Sequence, residues 1–288
     1  DMRMIALGDN VIDYYRNTKE CFPGGNAVNV AVHAAKQGAV SEYMGNLGTD
    51  RFAGVITEAL RTFGVDYSHC PVLSGKTTKV CRYDVTDGER TFVSVETGED
   101  WAGPIRLEEA DLKHLAEADL IVCSCNAKIP EQVRAVQELP PVFAYDFGEK
   151  EKYRTEEYYD LVCRRIDLAM FSCEPMEKKE FEEFCRPLHK RGVVHILATA
   201  GAEGQLLSAG GRIIKKGVQK VVPSDTMGAG DSFLAAFLNS LMNAGWRKND
   251  LMPEAALAAA LQAGQEASAR NCMQQGGFGV RSEVSPVS

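Results

Sequence analysis

A glycine-rich turn directly before an apolar helical segment carries the sharpest chemical signal in this sequence. It reads Asp225-Thr226-Met227-Gly228-Ala229-Gly230-Asp231. The backbone N–H groups of Gly228, Ala229 and Gly230 can converge there with little obstruction by side chains, and a helix N-terminus favours negative charge. Asp231, in the first helical turn, could accept a proton from a hydroxyl group. The pattern predicts transfer of a phosphoryl group to an alcohol, whereas an aspartate that only caps the helix is the alternative.

A second glycine turn near the N-terminus predicts a binding site for a polyol. In Gly24-Gly25-Asn26-Ala27-Val28-Asn29, the two glycines allow the backbone to approach a ligand closely, and Asn29 projects from the first turn of a helix. Upstream, Asp9 and Asp13 follow the first predicted strand. Carboxylates accept hydrogen bonds from neighbouring hydroxyl groups. Aspartates in a solvent-exposed surface turn are the alternative.

The two glycine segments resemble the N-terminal and C-terminal signatures of the ribokinase-like (PfkB) carbohydrate kinases, and they stand in the family's order about 200 residues apart. The resemblance covers essentially the whole chain. It implies that Asp231 is the catalytic base and that the amides of residues 228–230 form an anion hole. It also implies that Gly25 and Asn29 bind the sugar together with an acid, Asp13 or Asp9.

The resemblance also implies ATP and Mg²⁺ as cofactors. The segment Thr199-Ala200-Gly201-Ala202-Glu203-Gly204 resembles the family's nucleotide loop, in which Thr199, Gly201 and Gly204 would contact phosphates. Glu177 matches an acid that supports the Mg²⁺–phosphate water network, but Glu174 stands where asparagine is usual, which leaves the metal and nucleotide contacts open. The Asp225 side chain and the Thr226 carbonyl occupy positions where family members often hold a monovalent cation such as K⁺.

Short apolar segments alternate with helical patterns along most of the chain. The predicted helices are Asn26–Gln37 and a segment capped by Asp50 that ends at Gly64; the predicted strands are Met4–Leu7, Leu120–Cys123, Val142–Asp146, Leu168–Phe171, Val194–Ala198 and Gln219–Val222. Such alternation predicts an α/β protein with a mostly parallel sheet covered on both faces. A three-layer αβα, ribokinase-like fold is what the resemblance implies.

One segment interrupts this alternation. Thr78–Val85 and Arg90–Val95 are β-rich runs joined by Thr86-Asp87-Gly88-Glu89, a hairpin signal. We interpret it as a small β-hairpin lid, formed by about residues 11–22 and 78–96, within a single kinase domain spanning residues 1–288. The exposed edge of such a lid could support a homodimer.

The quoted motifs, together with Gly64–His69, are most similar to those of the fructoselysine 6-kinases within the family. This resemblance implies ATP-dependent phosphorylation of the 6-hydroxyl of fructoselysine or a related fructosamine. Candidate contacts for the variable end of the substrate are Arg82, Tyr83, Arg90, Phe92 and Asn126, although packing of the hairpin explains the lid residues equally well. The alternatives are another sugar kinase or a nucleoside kinase of the same fold, or a catalytically silent sugar-binding sensor.

Composition limits the classes of partner. The net charge is −8 with no run of basic residues, so neither nucleic acid nor an acidic membrane surface is an expected partner. No apolar run approaches the roughly 20 residues that span a bilayer. The nine cysteines include no CxxC pair, and the five histidines show no HxxxH spacing. The sequence therefore predicts a cytoplasmic protein whose cysteines are core residues, with a metal or disulfide role as the alternative.

Overall fold

The computed structural model describes residues 1–217 and 223–282; the predicted strand Gln219–Val222 lies outside these residues. The strands are β1 (Arg3–Leu7), β2 (Val11–Tyr15), β3 (Glu20–Gly24), β4 (Val40–Met44), β5 (Lys79–Thr86), β6 (Glu89–Glu96), β7 (Leu120–Ser124), β8 (Val142–Asp146), β9 (Leu168–Ser172), β10 (His195–Thr199), β11 (Gln205–Ala209) and β12 (Arg212–Lys216). The helices are α1 (Asn26–Lys36), α2 (Arg51–Thr62), α3 (Glu109–Leu115), α4 (Val133–Gln137), α5 (Glu156–Val162), α6 (Lys178–Lys190), α7 (Ala229–Asn243) and α8 (Glu254–Cys272).

The larger sheet has eight strands in the order β12-β11-β10-β9-β8-β7-β1-β4. The six strands from β10 to β4 run parallel, while β11 and β12 continue the sheet in antiparallel fashion. Central strands such as β7 and β8 are buried along their whole length. Such strands are typical of a parallel sheet covered on both faces.

Two hydrophobic cores lie on the two faces of this sheet. Along β8, Ala144 belongs to one core and Tyr145 to the other, because successive side chains of a strand point to opposite faces. Helices α1, α2, α7 and α8 cover the first face, and α3, α4, α5 and α6 cover the second. The predicted three-layer αβα fold is therefore confirmed.

A second sheet has four strands in the order β3-β2-β5-β6 and contains the segments predicted to form the lid. At the tip of the β5–β6 hairpin, Asp87 and Gly88 have φ angles of 52° and 80°, as the predicted Asp-Gly turn requires. Val11–Phe22, expected as one partner strand, is instead divided between β2 and β3, which pair in antiparallel fashion. The edge strand β6 exposes Phe92 and Val95, and a lid-mediated homodimer stays a prediction.

A helix that spans a bilayer must be both long and apolar. In residues 1–217 and 223–282, no helix combines the length and the apolar character that crossing a bilayer requires.

Asp50 connects the start of α2 to the base of the smaller sheet. Its carboxylate accepts a hydrogen bond from the Ala53 N–H at 3.0 Å, which caps the helix as predicted. It also accepts from the Thr78 N–H at 2.9 Å and from the Thr78 hydroxyl at 2.8 Å. One side chain therefore fixes both a helix N-terminus and the entry to β5.

Replacement of this cap tests its contribution to stability. We expect Asp50→Ala to lower the free energy of unfolding by about 1–2 kcal/mol, because it leaves a helix N–H and two Thr78 donors without their acceptor. Urea denaturation measures the change. Glu58→Ala, which removes an exposed pair with Arg61 on the same helix, should cost less than about 0.5 kcal/mol. Equal stability of the two variants would contradict the capping role.

Candidate active site

Polar side chains meet at the carboxyl end of the parallel strands. Asp9 follows β1, Asp146 ends β8 and Thr199 ends β10, while the N-terminus of α7 lies beside them. In open α/β sheets this edge is where ligands bind. A cleft of about 510 Å³ opens here, and its lining includes Glu149, Arg154, Glu174, Thr199, Gly201 and Gly230.

Two asparagines of α1 hold the carboxylate of Asp231. The Asn26 side-chain amide donates to Oδ1 and the Asn29 side-chain amide donates to Oδ2, each at 2.8 Å. The Asn26 nitrogen also lies 3.2 Å from an oxygen of Asp146. The first turns of α1 and α7 are thereby joined, and the orientation of the Asp231 carboxylate is fixed.

The surroundings of Asp231 bring its pKa close to neutral pH. Its pKa is raised to about 8, chiefly by burial and also by the neighbouring carboxylates of Asp146 and Asp9, while the hydrogen bonds from Asn29 and Asn26 oppose the increase. Within residues 1–217 and 223–282, no basic nitrogen lies within 4.0 Å of this carboxylate. Asp231 is therefore not held in an ion pair and can accept a proton.

Asp13 and Asn29 present buried oxygen atoms that lack a hydrogen-bond partner. These atoms are Asp13 Oδ2 and Asn29 Oδ1, and both lie within 4 Å of the point where a side chain of residue 24 would begin. Gly24 therefore leaves space between them. Because an unpaired buried acceptor costs free energy, the two oxygens are suited to the hydroxyl groups of a ligand.

Gly25 completes this side of the site. Its φ of 101° suits glycine, and a Cβ atom there would lie 3.0 Å from the Asp9 carbonyl oxygen and 3.2 Å from the Asp9 carboxylate. Asp13 lies nearby on β2, and burial raises its pKa to about 7; the positive charge of Arg90 lowers the pKa, whereas Asp9 and Asp225 raise it. The predicted sugar-binding residues Asp9, Asp13, Gly25 and Asn29 thus converge beside Asp231.

The glycine turn before α7 contacts the tip of the β5–β6 hairpin. The Thr226 N–H donates to the Gly88 carbonyl at 3.0 Å. Gly228 caps α7 with a φ of 73°, and the Ala229 N–H donates to the Thr226 carbonyl at 3.1 Å. The Ala229 amide is therefore engaged within the turn, which corrects its predicted place in the anion hole. Gly228 and Gly230 remain candidate donors because first-turn amides lack intrahelical acceptors.

Asp225 does not offer a free pair of oxygens to a monovalent cation. Its buried carboxylate accepts hydrogen bonds from the Tyr15 hydroxyl, from the Met227 N–H at 2.9 Å and from the Gly276 N–H at 2.7 Å. The Thr226 carbonyl, the other predicted ligand, accepts from Ala229. These contacts do not fit the predicted cation site, and Asp225 instead fixes the glycine turn against β2.

The predicted nucleotide residues lie along the cleft and an adjoining pocket. Thr199 and Gly201 line the main cleft; Gly204 and Glu177 line a pocket of about 220 Å³, and Glu174 borders both. Glu177 is exposed at the start of α6. Carboxylates are the ligands that Mg²⁺ uses together with substrate phosphates. The acidic lining, which includes Glu149 and Glu174, therefore fits an Mg²⁺–nucleotide complex.

The predicted contacts for the variable end of the substrate differ in their surroundings. Arg82 forms an ion pair with Glu96 at 2.8 Å, so contacts within the hairpin account for its position. The Arg90 guanidinium lies 5.3 Å from the centre of the Tyr83 ring, and no carboxylate in the described part of the chain lies within 4.0 Å of it. Asn126 is exposed in the turn after β7, outside the hydrogen-bond network of Asp231.

Three residues of the site were not identified from the sequence. Asp146 and Asn26 belong to the Asp231 network, and Arg154 lines the cleft while donating to the carbonyls of Gly148 and Ser172. Asp146 ends a predicted buried strand. Because ligands bind at the carboxyl ends of parallel strands, its position could have identified it as a site residue. Asn26 stands in the second glycine motif, between Gly25 and Asn29, which was also a usable signal, whereas the sequence offered none for Arg154.

Comparisons with known proteins agree with this geometry. Residues 5–278 match the model of the pfkB family carbohydrate kinases. The chain is 31% identical to the fructosamine kinase FrlD of Bacillus subtilis over 96% of its own length and 93% of that protein. It is 28% identical to the fructoselysine 6-kinase of Escherichia coli, with 88% and 92% covered.

Solved structures share the fold. The fructokinase of Xylella fastidiosa with bound ATP superposes with a TM-score of 0.77 at 18% identity, covering 96% of this chain and 94% of that one. The ribokinase of Arabidopsis thaliana complexed with ribose and ATP superposes with a TM-score of 0.76 at 20% identity and the same coverage. Since the family match spans nearly the whole sequence, the chain belongs to the pfkB family of carbohydrate kinases and is a sugar kinase.

Proposed function

We propose that this sugar kinase transfers the γ-phosphoryl group of ATP to the 6-hydroxyl of fructoselysine or a related fructosamine, with Asp231 as the general base. The observation that carries the proposal is the Asp231 carboxylate. Two amides orient it, no basic nitrogen of the described residues forms an ion pair with it, and it lies beside unpaired acceptors suited to a polyol. The similarity to a fructosamine kinase and a fructoselysine 6-kinase supports the choice of substrate.

In the proposed reaction the substrate hydroxyl loses its proton to Asp231. The hydroxyl oxygen forms a bond to the γ-phosphorus, the bond between that phosphorus and the bridging oxygen breaks, and ADP leaves with the electron pair. The pKa of about 8 makes Asp231 a stronger base than an ordinary aspartate. Asn26 and Asn29 donate to the ionised carboxylate and keep it aimed at the acceptor.

The start of α7 is the proposed position of the transferring phosphoryl group. First-turn amides and the helix dipole favour an anion there, and Gly230 lines the cleft. Arg154 lines the same cleft and adds a positive charge. Bound Mg²⁺ supplies further neutralisation of the phosphates, for which Glu149 and Glu174 are the candidate carboxylates.

The charge of the site suits a fructosamine better than a neutral sugar. Four carboxyl groups lie close together: the charge of Asp9 raises the pKa values of Asp13, Asp146 and Asp231, and that of Asp146 also raises the pKa of Asp231. The amine of a fructosamine is cationic near neutral pH and is attracted by such a group of carboxylates. Arg90, with no carboxylate paired to it in the described residues, is available to the carboxylate of the amino-acid portion.

Turnover of Asp231→Ala tests the assignment of the base. We expect kcat with fructoselysine to fall by about 10²–10⁴-fold while the substrate is still bound, because a positioned base contributes that factor. ADP release measures turnover, and calorimetry measures binding. Asp160→Ala, which removes a carboxylate of an exposed ion pair on α5, is the control and should retain full activity. Undiminished turnover of Asp231→Ala would refute the assignment.

A substrate panel tests the specificity independently of the base. Among fructoselysine, fructose, ribose and adenosine, we expect the highest kcat/KM for fructoselysine, because only this compound carries both a cationic amine and a carboxylate. A higher value for fructose, ribose or adenosine would replace the proposed substrate class. Binding without any ADP release would instead indicate a silent sensor.

Gly88→Ala tests whether contact between the hairpin tip and the glycine turn closes the site. A Cβ atom at residue 88 would lie 2.3 Å from the Pro223 carbonyl oxygen, so the tip must move away. We expect at least about a tenfold loss in kcat/KM and more sugar-independent ATP hydrolysis, since a closed site excludes water. ADP release with and without sugar measures both.

Gly98→Ala is the matched control for this variant. Gly98 also has a positive φ, of 66°, but an added Cβ would meet no atom within 4 Å. It should share the backbone strain of Gly88→Ala without moving the hairpin tip. Similar kinetics for the two variants would argue against the role of the contact in closure.

A further inference from the structure

We propose that Glu42, His69 and His114 form a binding site for a divalent transition metal of the Zn²⁺ class at the edge of the larger sheet. Glu42 lies on β4, His69 in the segment after α2, and His114 in the last turn of α3. One ligand atom from each residue lies within 4.8 Å of the others. This is the donor set, two imidazoles and a carboxylate, that open zinc sites use.

The distances approach those of a coordinated ion. Two ligands at about 2.1 Å from a tetrahedral Zn²⁺ are about 3.4 Å apart. His69 Nδ1 lies 3.5 Å from Glu42 Oε1, and His114 Nε2 lies 2.6 Å from Glu42 Oε2. The second pair must separate by less than about 1 Å when an ion replaces the hydrogen bond, and the ligand atoms of the two histidines lie within 4.8 Å of each other. Because an imidazole nitrogen binds a metal in the plane of its ring, the exposed His69 ring must also turn out of its stack with His114.

Burial holds Glu42 and His114 in place before an ion binds, whereas His69 is exposed. The imidazole rings of His69 and His114 are stacked, with centroids 3.5 Å apart and planes inclined by 16°. The Glu42 side chain is only 9% exposed and that of His114 15%, whereas that of His69 is 46% exposed. The carboxylate is thus fixed by burial, while the His69 side leaves a path for a metal and a position for water.

Nearby groups add negative charge and further donors. The Ser68 hydroxyl lies 3.3 Å from His69 Nδ1, and the Asp66 carboxylate accepts from the Ser68 N–H at 2.8 Å. Glu42 and Asp66 thus place two carboxyl groups beside the imidazoles, which favours a divalent cation.

This site is separate from the kinase cleft. Tyr43, the residue after Glu42, belongs to the core on one face of the sheet, and its hydroxyl donates to the Gly8 carbonyl beside the sugar site. Because side chains alternate along a strand, Glu42 points to the opposite face, where α3 packs. An ion here would join the edge strand, the segment after α2 and α3, which points to a stabilising role rather than a catalytic one.

Metal titration of the full chain tests the proposal. Chelator-treated protein in excess Mg²⁺, which occupies hard oxygen sites, is titrated with Zn²⁺ by calorimetry and with Co²⁺ by absorption spectroscopy. We expect one equivalent of Zn²⁺ to bind and to raise Tm. His69→Gln should weaken binding by at least about tenfold and abolish the rise in Tm. Because the His69 side chain is 46% exposed, this variant should fold as the unaltered chain does, and His114→Gln should weaken binding similarly.

His189→Gln is the matched control, because His189 bonds to Val193 and Ser208 outside the cluster. It should bind Zn²⁺ as tightly as the unaltered chain. Sub-stoichiometric binding, equal binding by His69→Gln, or a thiolate-to-cobalt absorption band would each overturn the proposal. The last result would assign the metal to the cysteines, and the first two would leave Glu42 and His114 as a hydrogen-bonded pair only.

Discussion

The bonds from Asn26 and Asn29 to the Asp231 carboxylate are the contacts on which the site depends. They join the first turns of α1 and α7, two helices that lie on the same face of the larger sheet but begin about 200 residues apart in the chain. Without them, a buried carboxylate close to Asp9 and Asp146 would favour its protonated form even more strongly. The same two hydrogen bonds thus orient the Asp231 carboxylate and favour its ionised form, whereas burial is the main source of its basicity.

The fold brings these groups together through a general property of parallel sheets. Strands that run in one direction deliver their carboxyl ends to one edge, so Asp9, Asp146 and Thr199 meet there although they are far apart in sequence. The smaller sheet adds Asp13 from β2 and folds its hairpin tip onto the glycine turn through the Gly88–Thr226 hydrogen bond. The residues proposed to bind the sugar and those proposed to hold the transferring phosphoryl group are therefore connected through one short segment, residues 225–231.

Local patterns predicted more of this molecule than long-range contacts did. The glycine turns, the Asp50 cap and the Asp-Gly hairpin depend on neighbouring residues and were evident from the sequence. Strands β4 and β12 were not predicted. In β4, Ser41 and Glu42 interrupt the apolar pattern at a sheet edge, and β12 is rich in lysine and arginine. Asn26, Arg154 and the cluster of Glu42, His69 and His114 were missed because each acquires its role from segments distant in the chain. Spacing rules for metal ligands cannot detect such a cluster.

The account requires that one carboxyl group with an unusually high pKa lose its proton before phosphoryl transfer. The most direct test is the dependence of kcat/KM for the sugar on pH, because it reports the essential groups of the free enzyme. Below the pKa, protonated Asp231 cannot accept the hydroxyl proton, so kcat/KM should rise with pH. It should level off above an apparent pKa between about 7 and 8, the values for Asp13 and Asp231. A profile that stays flat across this range would contradict the proposed base.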